Sequence, residues 1–206
     1  MFLGAIGAAD LDRSLGLHHR SAITHNALIP LLLLVVLQWY LRKLRQNGAS
    51  SLVGVCRCLW LPNSKVCRVV AALLMMGLAI HLAADCVPAG WRGTALVYFP
   101  YPSGAKSYGF GFSVLWLAAN GALAFATCHW VLSADGPVMR WLGQAAAIIL
   151  LVGYAGLKEA HPHLAIQKVL VGLALAASGY GLYRLATRVL PTSKLPGESQ
   201  ASCNAS

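Results

Sequence analysis

Five stretches of this sequence are too long and too apolar to belong to a soluble domain. They run near residues 22–41, 66–84, 110–132, 138–157 and 164–186. Each supplies the roughly 20 residues that a helix rising 1.5 Å per residue needs to cross a hydrocarbon core of about 30 Å. In lipid an isolated apolar run must satisfy its own backbone, and the period-2 alternation of a lipid-facing barrel strand is missing, so helices are the expected form. Only 11% of the residues are charged and 58% are hydrophobic, where soluble domains carry about 25% charged residues. These features predict an all-α integral membrane protein: one polytopic domain over residues 1–190, built as a bundle of about five transmembrane helices. A short apolar half-helix over residues 1–9 precedes it, and residues 191–206 read as a disordered polar tail. Ala118, Ala122 and Ala126 recur at helical spacing in the third run, a pattern that lets helices approach closely.

The chain carries 16 Lys and Arg against 6 Asp and Glu, a net charge of +10. On a soluble protein this balance would point to nucleic acid, but here the basic residues lie between apolar runs, where they set topology. Nucleic-acid binding is therefore not expected, and membrane lipid is the expected partner. Arg42, Lys43, Arg45, Arg57, Lys65 and Arg68 fall between the first two runs, Arg140 between the third and fourth, and Arg184, Arg188 and Lys194 at the C-terminal end. The opposite side collects Arg13, Arg20, Arg92, Lys106, Lys158 and Lys168. Ten against six places the first loop and the C-terminus in the cytoplasm by the positive-inside rule. The N-terminal segment, residues 85–109 and the turn at 158–163 then face outward from an inner (plasma) membrane. The six cysteines, Cys56, Cys58, Cys67, Cys86, Cys128 and Cys203, are scattered; without paired CxxC knuckles they read as reduced thiols rather than a metal framework.

Three groups of ionisable residues sit at helix ends or inside apolar runs. The first is Asp10 and Asp12 followed by His18, His19, Arg20 and His25. In the second, His81 and Asp85 stand four apart on one helical face. The third is Glu159, His161 and His163. All three fall at the outward end by the charge count. Singly each has a plain role: Asp10 and Asp12 suit turn and N-cap chemistry, and a histidine near a helix end suits the interface. Together, neutral imidazoles and carboxylates make the mixed N and O donor set that zinc or another first-row metal accepts. They are also the groups that relay protons in membrane proteins.

The stretch His19-Arg20-Ser21-Ala22-Ile23-Thr24-His25 resembles the HR…TH signature of the YdjM-like predicted membrane-bound metal-dependent hydrolases, LexA-binding inner-membrane-associated proteins. Upstream, Ala9-Asp10-Leu11-Asp12 is similar to the family's P-D-x-D element, with Ala9 in place of Pro. Downstream, His81-Leu82-Ala83-Ala84-Asp85, then Pro88, Gly90, Trp91 and Tyr98-Phe99-Pro100, resembles its H-x-x-x-D helix end and the Pro/Gly/Trp-rich segment after it. Asn26 stands where Ser is common, and the match covers Gly4 to Pro100, so His161 and His163 gain nothing from it. The resemblance implies hydrolysis at a divalent metal, zinc in the first instance, distantly similar to zinc phospholipases C and P1-type nucleases. It implies His19, His25, His81 and Asp85 as metal ligands and Asp10 and Asp12 as further ligands or the general base. Arg20 would then clamp a substrate phosphate. The apolar setting favours a lipid or lipid-linked phosphoester as substrate. Two other readings stay open: a small transporter or proton-relay subunit built on the same groups, and a non-catalytic membrane scaffold.

Overall fold

The computed structural model describes residues 21–33, 35–36, 65–87, 96–101, 104–133 and 135–189. Four long helices carry the fold: α1 (Lys65–Cys86), α2 (Phe110–Ser133), α3 (Pro137–Lys158) and α4 (Pro162–Val189). All four are long and apolar enough to cross a membrane. A shorter helical segment at residues 28–33 and 35–36 precedes them. The protein is an all-α, multi-pass membrane bundle. Its outer surface agrees: Ile149 is 69% and Leu157 91% exposed, a costly arrangement in water and an ordinary one against lipid tails.

The first span begins later than the hydropathy predicts. Residues 22–27 form turns, and helix starts at residue 28. The cause is local: Asn26 Oδ1 accepts from Leu28 N at 2.7 Å, which caps the first turn. Pro30 then falls among the first four helical positions, whose N–H groups have no intrahelical acceptor. It marks a helix start rather than the kink its position in the run suggests. A second difference lies between α1 and α2, where Phe99–Tyr101 (β1) and Gly104–Lys106 (β2) pair antiparallel, Phe99 opposite Lys106 and Tyr101 opposite Gly104. The tight turn from α2 to α3 needs Gly136, at φ 93°, directly before Pro137 at the helix start; only glycine adopts that backbone without strain. The expected half-helix and polar tail lie outside the described residues.

The most extensive packing is α1 on α2, followed by α2 on α4, while α3 makes thinner contacts with its neighbours. Met76, Ile80, Leu82, Leu117 and Leu151 are fully buried. Lipid tails are as apolar as these side chains, so close van der Waals fit rather than water exclusion holds the bundle together. The small residues of α2 provide that fit. A Cβ built on Gly179 of α4 would lie 2.6 Å from the Ala122 carbonyl oxygen and 2.9 Å from the Ala126 nitrogen, so two backbones touch where only hydrogen fits. A Cβ on Gly121 would likewise meet Leu175 at 2.9 Å. These contacts run α2 and α4 in the same direction, with α1 and α3 opposed. The C-terminal ends of α1 and α3 therefore share one end of the bundle with the N-terminal ends of α2 and α4.

Gly179→Ala should destabilise the detergent-solubilised protein by about 1–3 kcal/mol, because the obstructing atoms are backbone. Gly181→Ala, where nothing lies within 4 Å of the added methyl, should be neutral or stabilising by helix propensity. Thermal unfolding followed by circular dichroism compares the two; equal melting temperatures would show that α2 and α4 do not touch at Gly179.

Candidate metal centre

The site is assembled from one helix end and one non-helical segment. At membrane depth every backbone polar group outside a helix needs a partner, and residues 21–27 find theirs on two neighbouring elements. Ala22 N donates to Tyr98 O at 2.8 Å, and Ser21 forms an isolated parallel bridge with Tyr98. From α2, Asn120 Oδ1 accepts from Ala27 N at 2.8 Å, and Trp116 Nε1 donates to the His25 carbonyl at 3.0 Å. Asn120 Nδ2 in turn donates to the Trp116 carbonyl at 2.9 Å, so the side chains that grip the segment are themselves fixed. Ser113 adds a second tie, accepting from Val97 N at 2.9 Å and donating to Gly109 O at 2.7 Å. The result is a short loop pinned between the strand and α2, with His25 turned inward.

His25 is 0% and His81 5% exposed, and the Asp85 side chain is 16% exposed. Their donor atoms converge. His25 Nε2 lies 3.2 Å from Asp85 Oδ2, His81 Nε2 lies 3.3 Å from the same oxygen, and the two Nε2 atoms are 3.3 Å apart. The helical i, i+4 spacing on α1 brings His81 and Asp85 together; the pinned loop brings His25 to them across 56 residues of chain. On its far side, His25 Nδ1 lies 3.2 Å from the Ser21 carbonyl oxygen and 3.0 Å from Thr24 Oγ1. A carbonyl oxygen only accepts, so Nδ1 carries the hydrogen and Nε2 presents its lone pair to His81 and Asp85. Thr24 Oγ1 donates to the same Ser21 carbonyl at 3.1 Å, which fixes the acceptor. His81 Nδ1 is buried with no hydrogen-bond partner among the described residues.

With His25 Nε2 presenting a lone pair beside the Asp85 carboxylate, the triangle is satisfied by a hydrogen on His81 Nε2 or by a cation between the three atoms. His25, His81 and Asp85 are thus a group that could hold a metal ion. Of the residues singled out in the sequence, these three come together, while Asp10, Asp12, His19 and Arg20 lie outside the described residues. The third ionisable group stands at the same end of the bundle but does not join them. Glu159 forms an ion pair with the buried Lys168, and the exposed His161 and His163 stack on each other at 5.6 Å between ring centroids. Thr24 belongs to the HR…TH stretch, while the sequence assigns no role to the other positioning residues, Ser21, Trp116 and Asn120. A signal for Asn120 existed, since an amide in the middle of a 24-residue apolar helix must find a hydrogen-bond partner. An aromatic group of Phe99, Tyr108, Phe112 and Trp116, with ring centroids 5.2–6.3 Å apart, flanks the His25 loop.

No family model matches the chain, and neither a curated protein nor a solved structure is significantly similar to it. Function therefore has to be argued from the site itself.

Proposed function

We propose that this protein is a membrane-embedded metal-dependent hydrolase, with zinc held by His25, His81 and Asp85. The supporting observation is the donor triangle. Ligand atoms about 2.0–2.1 Å from a tetrahedral zinc lie about 3.3–3.4 Å from one another, and the three donor atoms of this site are separated by 3.2, 3.3 and 3.3 Å. They fit one face of a tetrahedron, whose fourth corner would take a water in a catalytic zinc site. A zinc ion bound there would supply Lewis acidity and lower the pKa of a water toward about 7. The Asp85 carboxylate provides the negative charge that a dication requires in a low-dielectric site. The Ser21 carbonyl holds the His25 ring in the tautomer and orientation that a ligand needs.

The resemblance to YdjM-like hydrolases is part of this proposal. It adds His19 as a further ligand, in which case water would enter by expansion to five-coordination, Asp10 and Asp12 as ligand or general base, and Arg20 as a clamp for a phosphate. A lipid-linked phosphoester suits a site at the end of an apolar bundle beside an aromatic group, since such groups sit at the level of lipid headgroups. A shared proton would also hold two imidazoles and a carboxylate at these distances, which is the relay reading; metal content separates the two. Full-length protein purified in detergent without chelator should retain about one equivalent of zinc, and His81→Ala should retain less than about a tenth. Loss of the metal should abolish hydrolysis of a chromogenic phosphodiester, with recovery on adding zinc back. A wild-type protein that holds less than about a tenth of an equivalent of any transition metal would exclude the metal centre and leave the proton relay.

The same proposal places the site on the extracytoplasmic face of the plasma membrane, because the opposite end carries the larger basic count. Cys86 is buried and cannot report on this. Ala160, exposed in the turn between α3 and α4, can. With Cys56, Cys58, Cys67 and Cys203 replaced by serine, an Ala160→Cys variant should react with a membrane-impermeant thiol reagent in intact cells. Reaction only after lysis would put the site in the cytoplasm.

A further inference from the structure

At the opposite end of the bundle, polar side chains are walled into an apolar cavity. It has a volume of about 290 Å³ and lies between α2, α3 and α4, with Phe125, Ala147 and Leu151 in its wall. His129 is buried in it. The Gln144 amide nitrogen lies 3.3 Å from His129 Nε2, and the Tyr180 ring meets the imidazole edge-on at 5.7 Å between centroids. Trp141 and Ile148 line its outer side and are exposed, so the cavity faces the surrounding lipid.

Two arginines neighbour residues of this polar floor on their own helices. Arg184 Nη1 donates to the Tyr180 hydroxyl at 3.3 Å, with Cζ 6.0 Å from the ring centroid. Arg140 stands one helical turn before Gln144 in the first turn of α3. Arg188 follows Arg184 by one turn on α4. Among the described residues Asp135 is the single acidic group at this end, so this end of the bundle carries net positive charge.

We propose that this cavity binds one acidic phospholipid, its acyl chain lying between α2, α3 and α4 and its phosphate held by Arg140 and Arg184. An apolar cavity of this size does not hold water well, whereas methylene groups match its walls. Basic pockets between transmembrane helices select anionic headgroups, and the fork of donors on arginine suits a phosphate. The His129, Gln144 and Tyr180 polar atoms lie where glycerol or ester oxygens would follow. The lipid fills the thinnest part of the packing, where α3 meets its neighbours loosely, and so acts as part of the bundle.

The test is native mass spectrometry of the full chain released from detergent containing equal amounts of phosphatidylglycerol and phosphatidylethanolamine with identical acyl chains. One retained lipid is expected, with phosphatidylglycerol preferred by about fivefold or more per arginine. The Arg140→Gln/Arg184→Gln double variant should bring the two lipids to parity. Ala147→Trp, or the milder filler Ala176→Leu should the first not fold by circular dichroism, should remove the retained lipid. Parity of the two lipids on the wild type would overturn the proposal, as would unchanged selectivity in the double variant or undiminished retention in a folded filler variant.

Discussion

Two imidazole nitrogens and a carboxylate oxygen lie within 3.3 Å of one another, a cluster of donor atoms that needs a hydrogen or a cation among them. The rest of that end of the bundle is arranged around that demand. The Asp85 carboxylate and His81 come from the last turns of α1, where regular helix geometry places i and i+4 side by side. His25 comes from a segment that is not helical at all. A bare loop at that depth would leave N–H and C=O groups unmet at several kcal/mol each, so its position is determined by the partners that satisfy it. Asn120 and Trp116 of α2 and Tyr98 before β1 are those partners. Polar groups outside the donor triangle therefore set the geometry of the site.

Much of this was legible in the sequence, and the parts that were not share a cause. The helices α1 to α4 follow directly from hydropathy, because in lipid the length of an apolar run and the length of a helix are fixed by the same bilayer thickness. The pairing of His81 with Asp85 follows from helical periodicity alone. The convergence of His25 on that pair is a tertiary fact; it depends on a hydrogen bond between residues 93 positions apart, which no local pattern encodes. The described helix of the first apolar run starts later than hydropathy alone predicts for a related reason. Hydropathy counts Ala22, Ile23 and Ala27 as membrane residues, yet Asn26 and Pro30 are turn-and-cap chemistry that outweighs three apolar side chains. The hairpin of β1 and β2 lies in a segment too short and too mixed for a strand pattern to register.

The two ends of the bundle are chemically distinct. One end gathers the histidines and carboxylates: His25, His81 and Asp85 in the site, with Glu159, His161 and His163 nearby on the α3–α4 turn. The other gathers Arg140, Arg184 and Arg188 around a cavity with a buried histidine. Between them α2 makes the most extensive contacts with the other long helices. Its small residues let α4 approach, and its polar residues face the site at one end and the cavity at the other. This division explains why one helix carries Ala122 and Ala126 as well as Ser113, Asn120 and His129 in a single apolar run.

X-ray absorption at the zinc edge of the purified, metal-loaded protein measures the central claim directly. A centre held by His25, His81 and Asp85 should show a first shell of nitrogen and oxygen only, at about 2.0–2.1 Å, with the outer-shell scattering of two imidazole rings. Replacing His25 with alanine should remove one ring from that signal. A first shell containing sulfur at about 2.3 Å, or one with no imidazole scattering, would contradict the assignment and move the metal to the cysteines or to adventitious oxygen ligands.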